Sequence, residues 1–211
     1  MTTNLNARTF VIDRLDLHSD GKAFEDIASI QAELAIAFQL LAAGEHESST
    51  GFLISAYKAE DFRDFISRGG LILAAHSADR GSLIGYLLAN SGATFLANHP
   101  ATTLLWDDET SQRLHGPAYG SGGFTYLDQI GVARSFHGTG VARDLHRRFL
   151  ELVPTPILAA VVQEPIRNTR STVFFKKLGY RQIGMFHTSE LKGLRDVRSA
   201  VLALAATGPS L

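Results

Sequence analysis

Two segments of the sequence carry residue types whose spacing could do chemistry. The first is Val132-Ala133-Arg134-Ser135-Phe136-His137-Gly138-Thr139-Gly140-Val141-Ala142. Glycines at 138 and 140 allow positive φ and let a ligand approach without meeting a Cβ. N–H groups at a helix start, with the positive end of the helix dipole, can then seat phosphate oxygens. The run is not a dinucleotide fingerprint, because Arg143 stands where the third glycine belongs, and it is not a P-loop, because no Gly-Lys-Ser/Thr follows. A glycine-eased tight turn accounts for it as well. The second segment begins at Asn168, which can cap a helix that Gly179 stops. Asn168, Ser171 and Phe175 fall at steps of three and four, so one face offers an amide, a hydroxyl and a ring. Taken singly, a plain N-cap and a core aromatic explain them. The eight histidines show no ligand spacing such as His-x-x-x-His, and no metal is expected.

The elements that must hold these segments follow from periodicity. Phe10–Leu15 alternates as a short strand, and Ala23–Leu41 places Ile27, Ile30, Leu34, Phe38 and Leu41 on one helical face. Gly44–Gly51 reads as a loop and Ala59–Ile66 as a short helix before Gly69-Gly70. Leu71–Ala75 and Leu83–Ala89, joined across Ala78–Gly81, predict a hairpin. Asn90–Gly123 is poorly patterned, and so long a connection suggests a lid or binding loop, with room for a short helix around Thr103–Leu114. Then the rhythm becomes strand (Phe124–Val132), helix (Gly138–Leu152), strand (Ile157–Gln163), helix (Asn168–Leu178) and two strands (Arg181–Phe186, Arg198–Ala205). The expectation is one mixed α/β domain over residues 1–211.

Composition sets the bounds. The 211 residues are 45% hydrophobic and 19% charged with no cysteine, which excludes disulfide scaffolds, thiolate metal sites and cysteine nucleophiles. A net charge of −1 argues against a nucleic-acid binder. The longest apolar runs, Ile157–Val162 and Ala200–Ala206, are too short to span a membrane, and Met1–Asp13 has no leader-length apolar stretch, so a cytoplasmic location is expected. The charge is uneven. Residues 1–133 hold 8 Lys/Arg against 16 Asp/Glu, and residues 134–211 hold 12 against 5. A basic C-terminal part suggests a local anionic ligand, although two complementary packed halves would show the same asymmetry.

Together the two segments resemble the GNAT superfamily, the GCN5-related N-acetyltransferases. His137-Gly138-Thr139-Gly140-Val141-Ala142 occupies the place of the family's Gln/Arg-x-x-Gly-x-Gly/Ala motif, and the helix after Asn168 is similar to its Asn-x-x-Ser/Ala-x-x-Phe-Tyr pattern. The resemblance covers about residues 124–186 closely and the rest by element order. It implies an α+β fold: a central mixed, mostly antiparallel sheet of six to seven strands flanked by about four helices. It also implies acetyl-CoA as co-substrate. The pyrophosphate would rest on the N–H groups of Gly138, Thr139, Gly140, Val141 and Ala142, beside His137. The pantetheine would pair with the strand at Ile130, Gly131 and Val132 and meet Asn168, Ser171 and Phe175. Arg134, Arg143 and Lys176 are candidates near phosphates.

The resemblance also assigns chemistry. Tyr126, Asp128 and Ile130 would alternate on one face of the strand holding the thioester, with Asp128 as base, directly or through a water. Tyr126 would be a replacement acid or a substrate contact, because Phe175 stands where many members carry the acid tyrosine. A structural carboxylate is the competing reading of Asp128. N–H groups near Ile130 or Gly131 would hold the oxyanion. The acceptor would be a small-molecule or peptide amine, and the acidity of Glu45, Glu47, Asp107, Asp108 and Glu109 suggests a cationic one, with Trp106 and Tyr119 in the same cleft. A homodimer fits the reading too. The main rival is a non-catalytic acyl-CoA-binding or regulatory module, motivated by Phe175 and His137. A dinucleotide-dependent oxidoreductase rests on the glycine turn alone.

Overall fold

The computed structural model describes residues 10–54, 56–78 and 81–204. The opening residues read for a leader, part of the turn at Ala78–Gly81 and the last residues of the run Ala200–Ala206 lie outside them. In chain order the elements begin with β1 (Phe10–Leu15), α1 (Gly21–Leu34), α2 (Ala37–Ala42), β2 (Glu47–Ser48), α3 (Asp61–Ser67), β3 (Leu71–Ser77) and β4 (Leu83–Ser91). Next come α4 (Gly92–Asn98), β5 (Thr103–Trp106), α5 (Glu109–Ser121) and β6 (Thr125–Val132). The chain continues through α6 (Val141–Leu152), β7 (Ile157–Glu164), β8 (Arg167–Asn168), α7 (Thr169–Lys177), β9 (Arg181–Leu191) and β10 (Leu194–Leu204).

Eight strands form one sheet in the order β1-β3-β4-β6-β7-β10-β9-β5, and β2 pairs with β8 separately. All neighbours in the large sheet are antiparallel except β6 and β7. The expected mixed, mostly antiparallel sheet is present, with one strand more than the six to seven read from sequence. The extra strand is β5, which falls inside the stretch read as a loop.

The helices also exceed four. The single helix expected over Ala23–Leu41 breaks after Leu34, whose carbonyl accepts from Leu53 N–H at 2.8 Å instead of continuing the helix. That break turns Phe38, expected on the core face, outward to 48% exposure. Asn90–Gly123 is no open loop: it holds α4, β5 and α5. Asp108 caps α5, accepting from Ser111 N–H at 2.7 Å, and Gly122 ends it at φ 70°. None of its residues is buried. A helix without an apolar face leaves no periodicity to read.

The core has two faces. Val141, Leu145 and Phe149 of α6 and Phe175 of α7 pack on one face of the sheet, against Leu87, Leu127, Ala159 and Leu202. Phe24, Ile27 and Ile30 of α1 with Phe62 and Phe65 of α3 cover the other at the β3–β4 end. Phe95 of α4 covers that same face near Tyr126, Leu158 and Phe186.

One buried polar pair lies under α6. His146, 2% exposed, shares a hydrogen bond of 2.9 Å with the Tyr180 hydroxyl, and burial lowers its pKa to about 4. In the unfolded chain the imidazole takes its proton near 6.5. Between those values the unfolded state binds more protons, so stability is full above about pH 6.5 and falls towards pH 4. The expected loss is at most about 3 kcal/mol. Urea midpoints at pH 7 and 4.5 check this: the drop should be visibly smaller in His146→Gln, and equal drops in both proteins would refute it.

Candidate active site

The site is built where the sheet comes apart. Strands β6 and β7 run parallel through only three pairs, Thr125–Ile157, Tyr126–Leu158 and Leu127–Ala159, and then diverge. The gap opens into a cavity of about 740 Å³. One wall is β6 from Tyr126 to Val132, and the opposite one is Ala160–Val162 of β7.

A β-bulge shapes the first wall. Leu88 pairs with Gln129 and Ala89 with Leu127, so Asp128 has no partner across β4. An unpaired residue reverses the in-out alternation of the strand beyond it. Leu127 and Ile130 therefore both join the α6 side of the core, while Tyr126 lies on the α4 side. The expectation that Tyr126, Asp128 and Ile130 share one face is corrected: Ile130 is on the other, because the bulge intervenes.

The bulge also fixes which peptide groups point into the gap. Ala133 N–H donates to Ile84 O at 3.0 Å, and bonded pairs alternate along an antiparallel ladder, so Gly131 and Gln129 also turn their peptide groups towards β4. Ile130 and Val132 turn theirs towards the gap. Gly131 does not line the cavity. Its missing Cβ leaves room for the Tyr86 ring, which such an atom would meet at 2.4 Å.

Asp128 lines the cavity with its side chain partly buried. Its Oδ2 accepts from the Tyr57 hydroxyl at 2.8 Å. Burial raises its pKa, and the Tyr57 hydrogen bond opposes part of that rise. Tyr57 was not singled out in the sequence, where it stands between a loop and a helix with no pattern around it. A buried network places it. Tyr57 N–H donates to Gln31 Oε1 at 2.6 Å, Gln31 Nε2 donates to Gln129 Oε1 at 2.8 Å, and the Tyr86 hydroxyl donates to the same oxygen at 3.0 Å. Gln31 is fully buried among the apolar residues of α1, so periodicity alone hides it. Tyr126 stacks on Phe95, centroids 4.0 Å apart, and Phe95 stacks on Phe186 at 5.6 Å. Burial first, and then the neighbouring Asp128, push the Tyr126 phenol above its ordinary value. A phenol so shifted is a poor acid, which favours the substrate-contact alternative.

The glycine turn stands at the other end. Gly138 and Gly140 have φ of 83° and 94°, and a Cβ on either would meet open space. Helix α6 follows Gly140 with no side-chain cap, and Gly138, Gly140, Val141, Ala142 and Arg143 all line the cavity. Thr139 does not: its hydroxyl turns back to Phe136 O at 2.7 Å. His137 Nε2 lies 2.9 Å from Val132 O, fastening the turn to the end of β6. Burial first, then Arg170, keep its pKa low, so the ring is neutral at pH 7 and donates to that carbonyl.

Asn168, Ser171 and Phe175 reach the cavity, but two are largely committed to the fold. Asn168 accepts from Ser171 N–H at 3.2 Å as the cap of α7 and donates to Phe52 O at 3.0 Å. Phe175 is core, 4.9 Å from the Tyr180 ring. Of the expected cations only Arg143 lines the cavity; Arg134 pairs with Glu33 at 3.5 Å, and Arg170 and Lys177 line it instead of Lys176. None of the acidic loop residues lines it. Glu47 accepts from Thr169 Oγ1, Asp107 accepts from Gln182 Nε2 at 3.1 Å, and Asp108 caps α5. Trp106 and Tyr119 pack edge to face at 5.9 Å and also stay outside.

No family model and no curated protein matches this sequence. Solved structures do. The chain is similar to the Arabidopsis thaliana NAA60 structure in complex with acetyl-CoA, at 15% identity and TM-score 0.61, covering 95% of this chain and all of that one. It is similar to an N-acetyltransferase of Staphylococcus aureus at 14% identity and TM-score 0.58, over 93% and 98% of the two chains. A third is yncA of Salmonella typhimurium with acetyl-CoA, at 13% identity and TM-score 0.56, over 96% and 98%. The fold is that of the GNAT acetyltransferases.

Proposed function

We propose that this chain is an acyl-CoA-dependent N-acyltransferase, moving an acetyl group from acetyl-CoA to an amine of a small molecule or peptide within a ternary complex. The observation that carries the reading is the gap between β6 and β7, which runs from the open glycine turn to Asp128. At the turn, the uncapped N–H groups of α6 with Arg143, Arg170 and Lys177 suit a pyrophosphate. Along the gap, Ile130 offers its C=O, and Val132 its N–H, to an extended arm. The Val132 carbonyl is already taken by His137.

The nucleophile and the oxyanion then each have a partner. The amine nitrogen attacks the thioester carbon, the N–C bond forms and the C–S bond breaks. The proton leaving nitrogen goes to Asp128, whose raised pKa makes it a stronger base than an exposed carboxylate. The gap-facing N–H of Ile130, not that of Gly131, is the donor for the oxyanion. The thiolate departs unassisted. With a pKa of ~8.5 its protonation deficit at pH 7 is about 2 kcal/mol, smaller than the ~4.6 kcal/mol of deprotonating a lysine-like amine, so the base matters more than the acid. Phe175 buried at the usual acid position is the one observation that favours a binding module without turnover.

Calorimetric titration with acetyl-CoA, with NADH as control, tests the reading. Micromolar acetyl-CoA binding with NADH silent is the expected result, followed by thiol release with an amine. Gly140→Val should weaken acetyl-CoA binding roughly tenfold, because a β-branched residue at φ 94° strains the turn by about 1–2 kcal/mol. Undiminished affinity in that variant would place the phosphates elsewhere, and binding without release across an amine panel would establish the module.

A further inference from the structure

The charge lining the cavity is lopsided. Its walls carry one carboxylate, Asp128, against Arg143, Arg170, Lys177 and Lys192. The first three cations stand on α6 and α7 beside the glycine turn, where the phosphates would lie. Lys192 stands instead on the turn joining β9 to β10. Its charge, after burial, helps keep the pKa of His99 low, and the His99 ring lies tilted against Phe95 at 4.8 Å, which stacks on Tyr126 at 4.0 Å. Lys192, His99, the Phe95–Tyr126 stack and Asp128 thus line one and the same cavity.

Lys192 is also placed at a cost. Its φ is 51° and that of Gly193 is 87°, the left-handed pair of a two-residue hairpin turn in which Asn or Gly is the usual first residue. A lysine there holds a backbone conformation that L side chains rarely adopt. The fold draws nothing from its ammonium, which makes no hydrogen bond or ion pair among the described residues. The acids that might have received a polycation do not line the cavity, and Glu47, Asp107 and Asp108 are engaged elsewhere.

We infer, resting on the acyl-transfer reading, that the acceptor is a primary amine on a flat apolar body that ends in an anionic group. The amine sits at Asp128, the body lies along Phe95, Tyr126 and Phe186, and the anion meets Lys192. The cationic acceptor suggested by the loop acids is thereby replaced by one of opposite charge at its far end.

The test compares two acceptors that differ only in that end, para-aminoethylbenzoate and its primary carboxamide, with spermidine as the polycation. Thiol release from acetyl-CoA is the readout. The benzoate should show a KM about fivefold below that of the carboxamide, the factor expected of one ion pair of about 1 kcal/mol, with similar kcat. Lys192→Gly relieves the left-handed backbone and should abolish the preference; Lys192→Arg should keep it and Lys192→Glu should invert it. A purely structural Lys192 would move both substrates alike. Equal KM values in the wild type, a preference surviving Lys192→Gly, or better turnover of spermidine would each overturn the inference. So would transfer to lysine-bearing peptides alone, which leaves the acyl-transfer reading standing. Failure to bind acetyl-CoA would overturn that reading itself.

Discussion

Asp128→Asn is expected to lower kcat by about 10²–10⁴-fold, the range that a positioned general base supplies, while acetyl-CoA affinity stays close to wild type. The amide keeps the shape of the carboxylate and can still meet the Tyr57 hydroxyl at the bulge, so the cavity wall survives. What it loses is a site for the proton. Because burial raises the pKa of Asp128, the acid limb of the wild-type pH profile should lie above the ordinary carboxylate range, with rate falling as pH drops through it. Tyr57→Phe removes the hydrogen bond that opposes the rise, so its limb should move to higher pH still. A structural carboxylate would give the opposite pattern: Asp128→Asn would cost stability and leave turnover per folded molecule unchanged. Calorimetry with acetyl-CoA alongside steady-state rates separates the two.

Gly131→Ala should destabilise the fold by about 1–3 kcal/mol through overpacking, a fall in Tm on the order of 5 °C. The added Cβ would lie 2.4–2.7 Å from the Tyr86 ring and hydroxyl, and Tyr86 is fully buried with nowhere to swing. Displacing its hydroxyl would also strip a donor from Gln129, next to Asp128, so kcat should fall with stability. Gly120→Ala is the control, since its Cβ meets nothing within 4 Å on an exposed helix. Scanning calorimetry that found Gly131→Ala as stable as Gly120→Ala would show that Tyr86 can give way, and the network would lose its claim to hold the site.

Much of this was legible in the residues. Both glycine-marked motifs lie at the cavity, and Tyr126 and Asp128 stand on its wall. Those signals are local: a positive φ favours glycine, and a helix cap favours a short polar side chain within one turn. What escaped was non-local. Ile130 changed faces because the bulge exists only relative to β4. Gln31 and Tyr57 matter through partners at Gln129 and Asp128, on the far side of the sequence. Asn168 reads as a ligand group until Phe52 O is seen to claim it. Helix α5 has no buried residue to fix its bounds, so the short helix expected around Thr103–Leu114 overlaps only its first half, and β5 spans four residues inside a Gly- and Pro-rich stretch and leaves no pattern. The acids of Gly44–Gly51 and Asn90–Gly123 misled for a similar reason, since composition reports charge but not the direction in which a loop faces.

The three ladder pairs between β6 and β7 have a mechanical meaning. Among the described residues they are the ladder that joins two four-stranded plates, β1-β3-β4-β6 and β7-β10-β9-β5, which are also clamped by the shared core beneath α6 and α7. An extended arm bonded to Ile130 would lengthen that seam, acting as a borrowed ninth strand where the chain provides none. The plates would then be stiffened by a molecule that is consumed, so each turnover would unfasten and refasten the middle of the protein.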